Sequence, residues 1–246
     1  MNIIELSKYL QDEQAAEEYL YDKWILKRFT TCPHCESDKI GYISRGRIKC
    51  YKCKKEWHKR KDSFLEGKQI SFSKFIAFIK LYADEVGVNQ IADELELDIK
   101  SVITIHSGIR NCLINTIIPT SLDESTTAIL LEDHGKLRLL FSQEKESQIT
   151  GQHYFLEFER YKEFGSLYSF LIKSRDTIRG QHKYNSLDRF ISFAKMKLLS
   201  YRGIKIQNLK EYLVELLIMY NNSENDWYTK VLNSLHFARV VNIPVS

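Results

Sequence analysis

The chain has 246 residues, of which 43% are apolar and 12% are aromatic, so it can bury a core large enough for two domains and is not a disordered protein. It has no run of about eighteen apolar residues, and its first ten residues lack the basic start and long apolar stretch of a secretory signal. We therefore expect an intracellular protein, in the cytoplasm or nucleoid or in a eukaryotic nucleus, with no membrane partner; the net charge of +4 alone indicates no other partner.

The first predicted element is a short helix over residues 11–24, within an N-terminal helical segment of residues 1–30. Its apolar residues recur at helical spacing, and acidic residues occupy the other faces. The apolar face consists of Ala16, Tyr19, Leu20 and Trp24. This pattern predicts a helix that packs one side against the rest of its domain and leads into the cysteine-rich region that follows.

Two Cys-x-x-Cys pairs dominate residues 31–61: Cys32 with Cys35, and Cys50 with Cys53. The fourteen residues between the pairs match the spacing of a four-thiolate zinc site, in which each pair forms a tight knuckle and the intervening arms pair as antiparallel strands. The alternative, a pair of redox dithiols, lacks the βαβ pattern that accompanies thioredoxin-type motifs. We therefore predict a zinc ribbon with a structural zinc ion, in a reducing compartment.

Three other residues could bind a metal. His34 and His58 could each replace a thiolate, but four cysteines already complete a closed tetrahedron, so we expect both histidines on the surface. Cys112 is left over from the metal pattern. We expect it to be half-buried and unreactive.

Basic residues are concentrated in the ribbon, where ten of them between residues 39 and 61 accompany a single acid, Glu56. Such a cluster attracts phosphate. A second basic run lies between residues 173 and 210. The alternative for either run is a solvated surface with no partner. The candidate DNA contacts in the ribbon are Arg45, Arg47, Lys54 and Lys55.

Residues 70–115 have the periodicity of three helices. Ser71 is a suitable N-cap for the first, Gly87 ends it, and Asp98 is a suitable N-cap for the third. The second and third helices have the apolar pattern of a helix-turn-helix, although Glu96 stands where many such turns have glycine. An ordinary helical hairpin is the alternative. The residues predicted to face the core are Ile91, Ala92, Leu95, Val102, Ile105 and Ile109.

The outer face of the third helix would meet DNA if that helix lay in a major groove. Its side chains point away from the apolar face, toward base edges or phosphates. The candidate DNA contacts on this face are Lys100, Ser101, Thr104 and Ser107.

A polar stretch around Pro119 separates these helices from a C-terminal domain, 125–246, in which alternating periodicity replaces helical periodicity. The first two of four predicted strands form a hairpin with Gly135 at its turn, and two amphipathic helices follow. The predicted strands are 126–132, 136–142, 153–158 and 166–173, and the helices begin near Leu187 and Leu209. This order of elements predicts an α/β domain.

Residues 17–110 resemble the N-terminal half of the zinc-ribbon insertion-sequence transposases, DDE-type bacterial relatives of the eukaryotic Merlin transposons. The resemblance implies a zinc ribbon and a helix-turn-helix that bind DNA, followed by a ribonuclease H-like domain. In that domain three carboxylates hold two divalent ions for strand cleavage and joining. The residues that carry the resemblance are Glu18-Tyr19-Leu20, Trp24, Cys32-Pro33-His34-Cys35, Arg47, Cys50, Cys53, Ile91-Ala92 and Val102.

The catalytic carboxylates of that family have altered counterparts here. Asp188 lies in a segment, His182–Phe190, similar to the one whose glutamate is the family's third ligand, and Met219-Tyr220-Asn221 resembles its closing Arg-Tyr-Asn. Glu132 and Asp133 stand where the first strand of the family has Asp-Glu. Each change alters the reach of the side chain by one methylene, and metal sites tolerate errors of only about 0.2 Å.

The second carboxylate of the family ends a central strand and is followed by a helix and another strand. Asp176 is its only counterpart, but eleven residues separate it from Asp188, too few for a helix and a strand. The cleavage site therefore looks degenerate. The alternative for all four acids is a set of surface turn and helix-cap residues.

These observations predict an α+β multidomain protein: an N-terminal zinc ribbon plus helix-turn-helix, then a reduced ribonuclease H-like α/β domain. The expected function is binding of double-stranded DNA by a protein of transposase descent, with structural zinc and a damaged cleavage site. Two rival hypotheses stay open. One is an active transposase that needs magnesium or manganese, and the other is a ribbon used for protein interaction or regulation. The sequence leaves homo-oligomerisation open.

Overall fold

The computed structural model describes residues 1–116, 127–133, 136–142, 153–157, 171–174, 193–194, 196–198, 209–221 and 224–237. The chain combines helices with two sheets and divides into two compact units, which confirms the α+β class. The first unit is discontinuous and comprises Met1–Thr116 and Asn225–Ser246. The second is Ile117–Glu224.

The helices and strands of the described residues are, in chain order, α1 (Ile3–Gln11), α2 (Glu13–Asp22), β1 (Ile40–Ile43), β2 (Arg47–Cys50), β3 (Glu56–His58), α3 (Phe72–Ala83), α4 (Val88–Leu95), α5 (Ile99–Asn115), β4 (Thr127–Asp133), β5 (Lys136–Ser142), β6 (His153–Glu157), β7 (Leu171–Ser174), α6 (Leu209–Tyr220) and α7 (Glu224–Ser234). In the first unit α3 is central, because α1, α2 and α4 all pack against it. Its residues Phe75, Ile76, Phe78 and Ile79 are fully buried.

The N-terminal region forms two helices rather than one. The Asn2 side chain accepts a hydrogen bond from the Glu5 N–H and begins α1, and Asp12 then caps α2 by accepting from two N–H groups. The sequence pattern predicted α2 but not α1. Trp24 is also placed differently: it follows α2 with a φ of 57°, is 60% exposed and stacks on His236. A residue in the left-handed region cannot continue a helical face, so Trp24 leaves the stripe that contains Leu20.

The N-terminus of α3 is held by a distant carboxylate. Glu13 accepts hydrogen bonds from the Phe72 N–H at 2.6 Å and the Ser73 N–H at 3.0 Å. Ser71 accepts from the Lys74 N–H, as the sequence predicts for an N-cap. These bonds satisfy donors that the helix itself leaves without partners, and the negative charge is favourable beside the positive end of the helix dipole.

Helices α4 and α5 occupy the predicted positions. Asp98 caps α5 by accepting from the Lys100 and Ser101 N–H groups, and all six apolar residues assigned to the core of this pair are buried. The turn between the helices is left-handed at Glu96, with φ 49° and ψ 52°. The Glu96 carboxylate lies 3.8 Å from the Lys74 ammonium but is 88% exposed. Such an exposed pair contributes little to stability.

Helix α7 belongs to the first unit although it lies near the end of the chain. The Tyr228 hydroxyl lies 3.2 Å from the Tyr19 hydroxyl, and the Trp227 ring stacks 6.4 Å from that of Tyr82. The Phe237 N–H donates to the Trp24 carbonyl at 2.8 Å. The compact units therefore divide the chain differently from the predicted range 125–246, which kept this helix with the strands.

The second unit contains a four-stranded sheet in the order β5-β4-β6-β7, and every pairing is antiparallel. The first three strands lie within one residue of the predicted ones, whereas β7 shares only residues 171–173 with the predicted strand 166–173, whose first five residues lie outside the described residues. Strands β4 and β5 form the predicted hairpin, with Asp133 paired to Lys136. Helix α6 packs against β5. None of the described helices combines the length and apolar character needed to cross a membrane.

Replacing Glu96 by Gly is expected to stabilise the protein by about 1 kcal/mol, because glycine adopts the left-handed conformation without a Cβ penalty. Chemical denaturation followed by circular dichroism measures the change. Glu96→Ala is the matched control, since it removes the carboxylate but keeps the Cβ, and no gain is expected from it. Equal stabilisation by both variants would show that the carboxylate, not the backbone, is the unfavourable element.

Candidate metal centre and basic surface

The two cysteine pairs lie in knuckles with the same backbone pattern. In the first, the Cys32 N–H donates to the Ser37 carbonyl and the Cys32 carbonyl accepts from the Glu36 N–H, both at 2.8 Å. The second repeats both bonds at 2.9 Å around Cys50. Glu36 and Lys54, each directly after the second cysteine of its pair, have φ angles of 58° and 65°. This left-handed residue turns the chain back so that both sulfurs of a pair point to one side.

The four thiol groups converge on one point. Pairing of Ile40 with Cys50 between β1 and β2 brings the second knuckle beside the first. The Sγ atoms of Cys32 and Cys53 are 3.7 Å apart, those of Cys35 and Cys50 are 3.6 Å apart, and all four lie within 4.8 Å of one another. A tetrahedral zinc ion with bonds of about 2.3 Å needs sulfur separations of about 3.8 Å. The donor set therefore fits a thiolate-bound metal ion.

Backbone N–H groups support the ionised form of the sulfurs. The His34 N–H donates to the Cys32 Sγ and the Cys53 N–H donates to the Cys50 Sγ, both at 3.4 Å. The second of these bonds is the largest cause that lowers the pKa of Cys50, to about 6. The pKa of Cys35 is instead raised to about 11: a backbone hydrogen bond at Ser37 lowers it, but burial and the hydrogen bonds with the other three thiols together outweigh that bond. The thiolate is the form that binds metal, so Cys50 is the ligand that these bonds prepare for a cation.

The other potential ligands stay outside the site. His34 and His58 are exposed, as expected, and neither belongs to the group of four metal-ligating side chains found among the described residues. Cys112 lies in α5 and is only 5% exposed, so it is more deeply buried than predicted. Burial raises the pKa of Cys112 to about 11, which agrees with the expected lack of reactivity.

The metal centre has a small apolar core that the sequence analysis missed. Phe29, Ile48 and Trp57 are buried together with Cys32 and Cys50. The Phe29 and Trp57 rings meet edge to face, with centroids 5.7 Å apart. Ile48 and Trp57 lie on neighbouring strands and pair directly in the sheet, so the strand register brings them together. These side chains cover the buried cysteines and exclude water from them.

The ten basic side chains between residues 39 and 61 form two groups: those that have a carboxylate or carbonyl partner and those that have none among the described residues. Arg47 and Lys49 share the Glu56 carboxylate at 2.9 and 3.1 Å, and Lys59 pairs with Glu17 at 2.5 Å. Arg60 donates to the carbonyls of Lys68 and Ile70, and Lys61 pairs with Asp62. The exposed members without an ion pair among the described residues are Lys39, Arg45, Lys52, Lys54 and Lys55.

Four of these five free cations surround the second knuckle. Lys52 and Lys54 flank Cys53 in the sequence. The Lys55 carbonyl accepts a hydrogen bond from the Cys50 N–H, and the Lys39 carbonyl accepts one from the Tyr51 N–H. Arg45 lies at the other end of the sheet, in the turn between β1 and β2. Of the four DNA-contact candidates in this region, Arg45, Lys54 and Lys55 are therefore free, whereas Arg47 is held by Glu56.

The candidate contacts on α5 share one exposed face. Lys100, Ser101, Thr104 and Ser107 are all exposed, and the Thr104 hydroxyl donates to the Lys100 carbonyl at 2.8 Å. The preceding segment, residues 84–98, contains six acids and no base. Its acidic side chains are all exposed: Asp84, Glu85, Asp93, Glu94, Glu96 and Asp98. The N-terminal end of α5 thus follows a segment with a formal charge of −6.

The carboxylates proposed for cleavage are only partly described. Glu132 and Asp133 end β4, which has a paired strand on each side. Asp176 and Asp188 lie outside the described residues. The strand before Asp176, β7, is at the edge of the sheet, whereas the family resemblance requires a central strand before the second carboxylate.

No family model matches the chain, and no curated protein or solved structure matches it.

Replacing Cys50 by Ser is expected to abolish metal binding and unfold residues 31–61, because three thiolates and a hydroxyl cannot form the closed site. Metal content of the purified full chain, measured by elemental analysis, should fall from one equivalent to none. Cys112→Ala is the control and should keep the metal, since that thiol is buried elsewhere in α5. A Cys50→Ser protein with a full equivalent of metal would contradict this assignment.

Proposed function

We propose that the chain is a DNA-binding protein of transposase descent, built on a zinc ribbon and a helix-turn-helix, whose strand-cleavage site is degenerate. The observation that carries the proposal is the position of the free cations. Four exposed lysines without ion pairs among the described residues have their backbones in or beside the second knuckle, which backbone hydrogen bonds shape around the cysteine cluster. Lysines concentrated on one such knuckle can neutralise DNA phosphates and release counterions.

Zinc supplies a structural cross-link when it is bound, and the chain supplies the DNA contacts. Lys39, Lys52, Lys54 and Lys55 would meet phosphates near the second knuckle, and Arg45 would extend this contact at the hairpin turn. The charge of four thiolates around a divalent ion is negative, so some of the lysine charge also balances the site itself. The net attraction for DNA is therefore smaller than five free cations alone would give.

Helix α5 is proposed to contact DNA through its outer face, with Lys100 as the basic side chain. Thr104 can offer its hydroxyl only as an acceptor, because the proton is already donated within the helix. The acidic turn before α5 opposes close approach of phosphate. The proposal therefore assigns most of the affinity to the knuckle and gives α5 a secondary role in sequence preference.

The cleavage site is proposed to be degenerate because its acids differ from those of the family in type and spacing. Glu132 and Asp133 end β4 where the family has Asp-Glu, and Asp188 stands where the family has a glutamate. Only eleven residues separate Asp176 from Asp188, too few for the helix and the strand that the family has there. Asp176 follows an edge strand. Two divalent ions need at least three converging carboxylates to offset their charge, so magnesium or manganese would bind productively only if Asp176 and Asp188 joined this pair.

A second candidate function is favoured by the acidic segment of residues 84–98, which includes α4. The segment has six exposed acids and no base of its own, although Lys80 pairs with Asp84 and Lys74 with Glu96. Such a segment suits a basic protein surface better than DNA. On that hypothesis the ribbon and the helix pair form a protein-interaction or regulatory module. The two functions differ in a measurable way, because only the first requires DNA affinity that falls steeply with salt.

Replacing both Lys54 and Lys55 by Gln is expected to weaken duplex DNA binding about equally for all sequences. The slope of log affinity against log salt should become shallower by about 1 to 2, since each lost phosphate contact contributes about 0.9. Fluorescence anisotropy of labelled duplexes at several salt concentrations measures both effects. Lys49→Gln is the matched control: Lys49 is already paired with Glu56, so its loss should leave the slope unchanged. Wild-type affinity that ignores salt would exclude the proposed function.

The full chain is expected to show no robust strand cleavage or transfer, because the sequence offers two near-matches to the family's carboxylates, each altered in length, and no properly spaced third. The assay uses duplex DNA that carries the terminal repeats of the surrounding element, or pooled genomic ends if no repeats are found, with manganese present. Cleavage that is lost in Asp188→Ala would restore the active-transposase hypothesis. Cleavage that survives Ala substitutions at Asp133, Asp176 and Asp188 would indicate a contaminating nuclease.

A further inference from the structure

An exposed aromatic residue belongs to the same knuckle as the free cations. Tyr51 occupies the second knuckle between Cys50 and Lys52, and it is 52% exposed. Its backbone N–H donates to the Lys39 carbonyl at 2.8 Å, which places the Tyr51 backbone beside that of Lys39. A single exposed tyrosine is ordinary in a folded protein. An exposed ring among unpaired cations is the combination that nucleic-acid grooves use to hold bases and phosphates together.

Gly41 supports the position of this ring. A Cβ built on Gly41 would lie 2.6 Å from the Tyr51 hydroxyl oxygen and 2.8 Å from a ring carbon. The ring therefore lies directly against the backbone of β1, in space that any other residue at position 41 would fill. A ring that rests on a strand loses little conformational entropy when a ligand stacks on its free face.

The other exposed aromatic side chains of the first unit differ from Tyr51. Trp24 is already stacked on His236 and Phe237. Tyr42 is 61% exposed, but its charged neighbours are Arg28, Glu17 and Glu18, so its surroundings carry both signs of charge and are not uniformly cationic. Among the described residues, Tyr51 contacts no other aromatic ring and its side chain makes no hydrogen bond. Of these three exposed rings, Tyr51 is thus the one that has no partner and has unpaired lysines in its own knuckle.

We propose that Tyr51 is a stacking platform for an unpaired DNA base, and that the surrounding lysines hold the phosphates of the same single strand. The inference rests on the proposed DNA-binding function and specifies its ligand: DNA that contains a duplex and an unpaired segment. Bases inside a duplex are stacked on one another and cannot lie on the ring. An unpaired base has a free π-face, so the knuckle favours forked or frayed DNA over a blunt duplex.

The test compares three DNAs with the same duplex: one blunt, one forked with six-thymine arms, and one forked with arms of six abasic sites. The abasic arms keep the phosphates and remove the bases, so their comparison with thymine arms isolates stacking. The zinc-loaded full chain should bind thymine arms about tenfold more tightly than abasic arms. Tyr51→Leu should bring the ratio of the two affinities, thymine arms over abasic arms, close to one, and Tyr51→Trp should preserve that ratio.

Gly41→Ala tests the platform without changing the tyrosine. The new methyl group displaces the ring, whose outer end is free to swing away, and β1 accommodates alanine because Gly41 does not have a positive φ. This variant should lose the preference for thymine arms as Tyr51→Leu does. Tyr42→Leu is the control for a general loss of exposed aromatic surface, and this variant should keep the preference for thymine arms. Zinc content and circular dichroism confirm that each variant is folded.

The outcomes separate this inference from the proposed function. A wild-type ratio near one between thymine and abasic arms overturns the stacking platform, as does a ratio that Tyr51→Leu leaves unchanged. Salt-sensitive binding to the blunt duplex decides the proposed function independently. Binding to the blunt duplex without a preference for thymine arms therefore leaves the proposed function standing and removes the inference.

Discussion

The convergence of four sulfurs is the constraint on which the N-terminal sheet depends. Strands β1, β2 and β3 have only four, four and three residues, and a sheet of this size is not stable in water without another source of free energy. The apolar core around Phe29, Ile48 and Trp57 is small. A structural metal ion bound by four thiolates would contribute on the order of 10 kcal/mol to folding, more than a core of this size supplies. Strands this short therefore depend on the cysteine cluster, through which a bound metal ion would join the two knuckles.

Paired cations connect this metal-centred sheet to the helices. Lys59 meets Glu17 of α2, and Arg60 donates to the Lys68 and Ile70 carbonyls while its guanidinium lies over the Phe72 ring, 4.5 Å from the centroid. These bonds fix the direction in which the chain enters α3. The basic cluster thus has two functions that composition cannot distinguish. One set of residues positions the sheet on the helices, and the other remains free at the knuckle.

Local patterns were sufficient to predict the features that depend on neighbouring residues. The cysteine spacing gave the metal centre, Ser71 and Asp98 gave the helix caps, and alternating residues gave the strands of the second unit. Features that depend on distant residues could not be predicted in this way. The Glu13 cap of α3, the packing of α7 on Tyr19 and the stacking of Trp24 on His236 all require contacts across 59 residues or more. The pairing of Arg47 with Glu56 depends on strand register, which composition does not specify.

Charge is segregated within the first unit. The free lysines lie at the second knuckle, whereas six exposed acids lie between residues 84 and 98, before α5. Under the proposed function, a duplex that follows the knuckle would gain phosphate contacts, and one that enters along the α4–α5 turn would meet like charge. That proposal therefore favours an orientation in which the knuckle makes the first contact and α5 reaches the groove only with its basic side chain, Lys100, leading.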